Sequence, residues 1–282
     1  MRGLDVSIEL PEAIILARQM DEALKGKRIK SYSLKDHERL HRIGFINKNL
    51  VEFNWLVGRT VEGATSRGNT VMVRMDSGMN LLLAPEYGGV IQLTDGDREV
   101  PNFHLRIDFI DGSVLTIRLT SMGCIYASHD FELKNVYVYK RDFSGRPSPG
   151  HPELTFESFR KLMSKDTQLK PLLVGRDAVV VGLSNSALQD ILYRARINPR
   201  RKASSLNVDE ARALYDAINL LVEDRLRHGG KDEFVDLYGR RGRYAPMMGP
   251  NMRESYCPRC GSKIEKISLG GGQVYHCPGC QH

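Results

Sequence analysis

CPRCGSKIEKISLGGGQVYHCPGC, residues 257–280, is the stretch from which the rest of the chain is best read. Cys257-Pro258-Arg259-Cys260 and Cys277-Pro278-Gly279-Cys280 stand sixteen residues apart, the spacing of a two-hairpin zinc ribbon. Four thiolates close a tetrahedral site and leave no open position, so the pattern predicts one structural Zn2+. So short a segment cannot build a core of its own, and the metal would supply most of its folding energy. A pair of redox thiols or disulfides is the alternative. However, four of the five cysteines crowd into the last 26 residues, unlike a disulfide framework. His276 and His282 are not needed as ligands, and Cys124 reads as an ordinary buried strand cysteine.

Upstream of the cysteines the punctuation changes several times. A helix opens at Glu9-Leu10-Pro11-Glu12, where proline suits the first turn and a carboxylate meets the positive helix end. Ala13, Leu16, Met20 and Leu24 then recur at helical steps until Gly26. From about residue 28 to 139 the pattern is short strands with turns, such as Thr70–Met75, then Asp76-Ser77-Gly78, then Leu81–Leu83. His104–Phe109 and Ser113–Ile117 flank Asp111-Gly112 as a hairpin. Residues 1–140 therefore read as an N-terminal helix plus a β-sandwich domain. The Pro- and Gly-rich stretch 141–153 reads as a linker. Helical periodicity returns over 154–230 with Phe156, Phe159 and Leu162, then Leu188, Ile191 and Leu192, then Ala211, Leu214, Ala217 and Leu221. Residues 231–250 read as a long loop, and 251–282 as the finger. The fold class expected is α+β and multidomain.

At 282 residues, two domains are the prior for the chain. With 41% hydrophobic and 27% charged residues and a mean hydropathy of −0.35, it is neither a membrane protein nor a disordered one. No apolar run approaches the ~20 residues of a membrane span. Asp5, Glu9 and Glu12 interrupt the start where a signal peptide needs a basic, then apolar, stretch, so a cytoplasmic protein is expected. The formal charge of +7 favours a polyanionic partner without identifying one.

A turn, Val181-Gly182-Leu183-Ser184-Asn185, runs into a helical pattern. Such a turn exposes backbone N–H groups and an amide at a positive helix end, which suits a phosphate; many such turns only cap their helix. Arg194, Arg196, Arg200, Arg201 and Lys202 follow within nine residues, and Arg240, Arg241 and Arg243 form a second cluster. A solvated basic face is the bland alternative. Beside a zinc ribbon, contact with duplex DNA is the stronger reading.

The order of these pieces resembles the formamidopyrimidine-DNA glycosylase / endonuclease VIII family. The resemblance is carried by a helix opening Glu-Leu-Pro-Glu, a β-sandwich, Lys170-Pro171 with the Gly182-x-x-Asn185 turn, and a four-cysteine finger ending Cys280-Gln281. It implies a DNA-repair protein of two lobes, most simply a monomer in the cytoplasm at the nucleoid. A helix–two-turn–helix domain over 154–230 and a zinc finger would hold damaged double-stranded DNA, with the modified base flipped into the cleft. On the family pattern Glu9 and Glu12 are the catalytic general acid/base and its supporting carboxylate. Lys170, Gly182 and Asn185 fit the family's phosphate-gripping set; with Arg194, Arg240 and Arg241 from the two basic clusters they are the expected DNA-binding residues, and Cys257, Cys260, Cys277 and Cys280 the expected zinc ligands.

The sequence also departs from that pattern. Ile8 stands where the family has a proline whose free amine attacks the sugar. Because seven residues precede it, its nitrogen is an amide. Asn69 replaces the lysine of Arg-Gly-Lys, and Gly272 replaces the hairpin arginine. Tyr87, Thr120 or Ser121, and Met122 replace the three gap-filling side chains. Two readings follow. One is an N-glycosylase that removes a base by Glu9-assisted hydrolysis without the lyase step. The other is a catalytically silent relative that binds damaged DNA by phosphate contacts and shape.

Overall fold

The computed structural model describes residues 8–86, 88–96, 102–175 and 178–282. The chain divides into two compact units, one containing residues up to Ser144 together with His228–Arg243, the other Gly145–Arg227 with Tyr244–His282. The first boundary falls inside the Pro- and Gly-rich stretch.

In the first unit, helix α1 (Leu10–Leu24) buries Ala13, Leu16, Met20 and Leu24, the four positions of its apolar stripe. It ends where Gly26 turns out at φ +81°. Strand β1 (Ile29–Leu34) leads to a short helix α2 (Glu38–Arg42). Then come β2 (Val61–Arg67), β3 (Thr70–Met75), β4 (Met79–Ala84), β5 (Gly89–Asp95), β6 (Leu105–Phe109), β7 (Ser113–Leu119) and β8 (Cys124–His129). Two four-stranded antiparallel sheets result, ordered β1-β6-β7-β5 and β2-β3-β4-β8. Ser77 and Gly78, at φ +57° and +69°, make the β3–β4 turn, and Gly112 at φ +90° makes the β6–β7 turn. Alternating residues of both sheets, among them Val71, Val73, Leu81 and Leu83 against Ile91, Leu105, Leu115 and Ile117, fill one core with the stripe of α1. A short helix α3 (Tyr137–Asp142) closes the sandwich segment.

The segment after His228 lacks periodicity, yet it is part of this core. Phe234 and Leu237 are fully buried in it, and the Leu237 carbonyl accepts the Leu93 N–H at 2.9 Å. Only two apolar anchors hold it, too few to produce a periodic signal.

The second unit contains α4 (Phe156–Leu162), α5 (Leu169–Leu173), α6 (Asn185–Ala195) and α7 (Val208–Arg227). Leu188, Ile191 and Leu192 of α6 face Leu214, Ile218 and Leu221 of α7 in its core. Strands β9 (Glu265–Leu269) and β10 (Gly272–His276) pair as a hairpin, and Tyr193 of α6 joins Cys257, Ile264, Tyr275 and Cys277 in a small satellite cluster. Among the described residues no helix is long and apolar enough to cross a membrane.

Candidate functional site

Within the first unit, the start of α1 gathers two carboxylates and an amine. Glu9 caps the helix and Glu12 lies in its first turn, at 2% and 0% exposure. The Glu12 carboxylate accepts the backbone N–H of Glu9 at 3.2 Å and that of Lys231 at 3.1 Å. The Lys231 ammonium, on a side chain 8% exposed, donates to Glu9 Oε1 at 2.9 Å. Buried carboxylates are costly unless paired, and this lysine is one counter-charge for them. Gly230 lets it arrive: at φ +91°, an added Cβ would sit 2.5 Å from Phe234 and 3.3 Å from Glu12. The expectation of two catalytic carboxylates missed Lys231. The only local signal is the pair of glycines before it, because its partner is 222 residues away.

Ile8 is 1% exposed and packs in the sandwich core. The seven residues before it, and Tyr87, lie outside the described residues. Asn69, at the β2–β3 turn, accepts a hydrogen bond from Arg141, whose guanidinium also pairs with Glu86 and Asp142. Thr120 donates its N–H to the Gly88 carbonyl at 3.0 Å, and Met122 is 47% exposed. Arg240 and Arg241 are exposed in the same unit, on a turn closed by Asp236; the Arg240 guanidinium lies 5.4 Å from the Tyr238 ring.

Within the second unit, Lys170, Asn185 and Gly272 converge. Gly182 takes φ +94° in the turn before α6, and the Ser184 hydroxyl caps the helix by accepting the Ser186 N–H at 3.0 Å. The Asn185 amide donates to the Gln273 carbonyl at 2.9 Å, while its Oδ1 is buried without a hydrogen-bond partner. Lys170 donates to the Leu269 carbonyl at 2.6 Å, and burial lowers its pKa. A Cβ at Gly272 would lie 3.0 Å from that ammonium. A side chain at 272 would therefore crowd the lysine, which reaches the hairpin tip from α5.

Arg194 is placed differently from the other cations. Its side chain is 9% exposed and bonds Asp190 at 3.2 Å, Asp224 at 2.9 Å and the Tyr244 hydroxyl at 2.9 Å. Its charge is spent inside the unit, bracing α6 against α7. The Asp190–Arg194 spacing of four residues was a visible signal for such a pair.

The four finger thiols lie within 4.8 Å of one another, with Cys257–Cys280 at 3.7 Å and Cys260–Cys277 at 3.4 Å. Tetrahedral sulfur ligands around a zinc-sized ion stand about 3.8 Å apart, so the four thiols are placed where they could hold a metal. Tyr193 bonds the Cys257 sulfur at 3.3 Å, and the Arg259 guanidinium lies 4.1 Å from the Tyr193 ring. That contact ties the cluster to α6.

Comparison with known proteins agrees with this arrangement. The family model for the formamidopyrimidine-DNA glycosylase N-terminal domain matches residues 8–120. The model for the formamidopyrimidine-DNA glycosylase H2TH domain matches 146–234. A formamidopyrimidine-DNA glycosylase of Heliobacterium modesticaldum is 28% identical over 97% of this chain and 99% of its own length. One from Pelotomaculum thermopropionicum is 38% identical over 43% of this chain and 45% of its own. Among solved structures, the Lactococcus lactis protein in complex with DNA containing an abasic site shares the fold. Its TM-score is 0.83 at 22% identity, covering 97% of this chain and 99% of that one. On the two domain matches and this order of elements, the chain belongs to the formamidopyrimidine-DNA glycosylase / endonuclease VIII family.

Proposed function

We propose that this protein is a DNA-repair glycosylase that binds damaged duplex DNA and removes a modified base. The observation that carries this reading is the retained carboxylate pair: Glu9 and Glu12 are both buried at the start of α1, and Glu9 is held against an amine. A carboxylate in a dry site is suited to move a proton as the bond from base to sugar breaks, an effect typically worth 10²–10⁴ in rate. Binding rests on Lys170, Gly182 and Asn185 in the second unit and Arg240 and Arg241 in the first. These residues offer cations, an amide and a helix N-terminus to phosphates.

The four-cysteine site is assigned to one structural Zn2+, which the thiolate set favours; four protein ligands leave it no position for substrate. The family's DNA-bound relatives support damaged duplex DNA as the partner. We place the protein in the cytoplasm at the nucleoid, acting as a monomer.

A second reading is favoured by a specific observation. Ile8, Asn69 and Gly272 occupy three positions of the family's chemistry, and Asn69 is engaged with Arg141 instead of offering a cation. On that reading the protein recognises damage without excising it. Incubation of the zinc-loaded protein with duplexes carrying an abasic site or an oxidised purine decides between them. Chromatographic detection of the released base is the expected result. Tight binding with no release would establish the silent relative, and failure to bind either duplex would refute both.

A further inference from the structure

We propose that the Lys231 amine is the nucleophile of this protein, attacking C1′ of the deoxyribose. The inference rests on the glycosylase reading above and names the group that Glu9 activates. Lys231 Nζ stands 2.9 Å from Glu9 Oε1, and both side chains are nearly closed to solvent. This is the mutual geometry of a nucleophile and its base. The backbone fixes the amine's starting point, since the Lys231 N–H is tied to Glu12 at 3.1 Å and Gly230 admits no side chain.

Glu9 takes one proton from the ammonium, and the freed lone pair forms the Nζ–C1′ bond. The bond from C1′ to the base breaks, its electron pair leaves with the base, and Glu9 returns the proton to the base. The nitrogen then passes a second proton to O4′ as the C1′–O4′ bond opens, giving an iminium that keeps the third. Water hydrolyses the iminium to the free sugar aldehyde and restores Lys231.

The test uses the zinc-loaded full chain with an abasic-site duplex and an oxidised-purine duplex, with and without sodium borohydride, which reduces an iminium to a stable secondary amine. The expected result is a covalent protein–DNA adduct that peptide mass spectrometry maps to Lys231. K231R keeps a cation beside Glu9, and is expected to lose the adduct entirely while binding the duplexes as before. Mapping in the unaltered protein needs no variant, so a folding defect in K231R would not blunt the test. Base release with no adduct, or an adduct on another amine, overturns the inference and leaves the glycosylase reading standing. Absence of both release and adduct overturns the two together.

Discussion

Replacing Lys231 with methionine tests whether the α1 site is built as an ion pair. The pair joins side chains 8% and 3% exposed at 2.9 Å, with the Glu12 carboxylate hydrogen-bonded to the same lysine's backbone. Removing one partner of such a buried pair costs about 3–5 kcal/mol, because the remaining charge keeps its desolvation penalty. For a unit of this size that corresponds to a melting shift of roughly 6 to 20 °C. Replacing both partners with neutral groups of similar shape is far less costly, so E9Q/K231M should recover most of the loss. The chain has a single tryptophan, Trp55, and it lies in the first unit. Its emission during urea or thermal unfolding therefore reports the stability of the unit that holds the pair. A loss below about 1 kcal/mol, the range of an exposed ion pair, or a double variant no more stable than K231M, would show that the site is not held by a buried ion pair.

Other outcomes follow from the same geometry. Arg194→Ala should destabilise the second unit by about 3–5 kcal/mol, since it removes the cation paired with the fully buried Asp190. It should leave the salt dependence of DNA binding intact in the folded fraction, which a titration at several salt concentrations would check. Arg240→Ala should do the reverse, leaving stability unchanged and lowering the slope of log affinity against log salt by about 0.9, one phosphate contact. Lys170 must be charged to hold a phosphate, and burial lowers its pKa from 10.5. Its share of affinity is thus present at neutral pH and lost as pH rises through that lowered value. The alkaline fall should vanish in K170M, and an identical profile in both proteins would contradict it. Stripping the metal with a chelator should unfold the finger and abolish duplex binding, with one zinc recovered per chain by elemental analysis.

Much of this architecture was legible in the sequence because it depends on local rules. Pro11 and the spacing of Ala13, Leu16, Met20 and Leu24 mark α1; Asp111-Gly112 marks a hairpin; four cysteines in two close pairs mark a metal-sized cage. What was not legible depends on partners remote in the chain. Lys231 sits in a segment without periodicity and acquires meaning only because Phe234 and Leu237 draw that segment into the sandwich core beside Glu9. Arg194 belongs to a dense run of cations that reads as a basic surface, yet Asp224, thirty residues downstream, turns its charge inward. Lys170 and Gly272 gain their relation only when α5 is laid against the finger hairpin, a contact spanning 99 residues.

Single-turnover release of an oxidised purine from duplex DNA reads out whether Glu9 does chemistry. The unaltered protein should release the base, and E9Q, shown to be folded by its Trp55 emission, should do so roughly 10²–10⁴ times more slowly with unchanged duplex affinity. Equal rates in the two proteins would exclude a chemical role for Glu9.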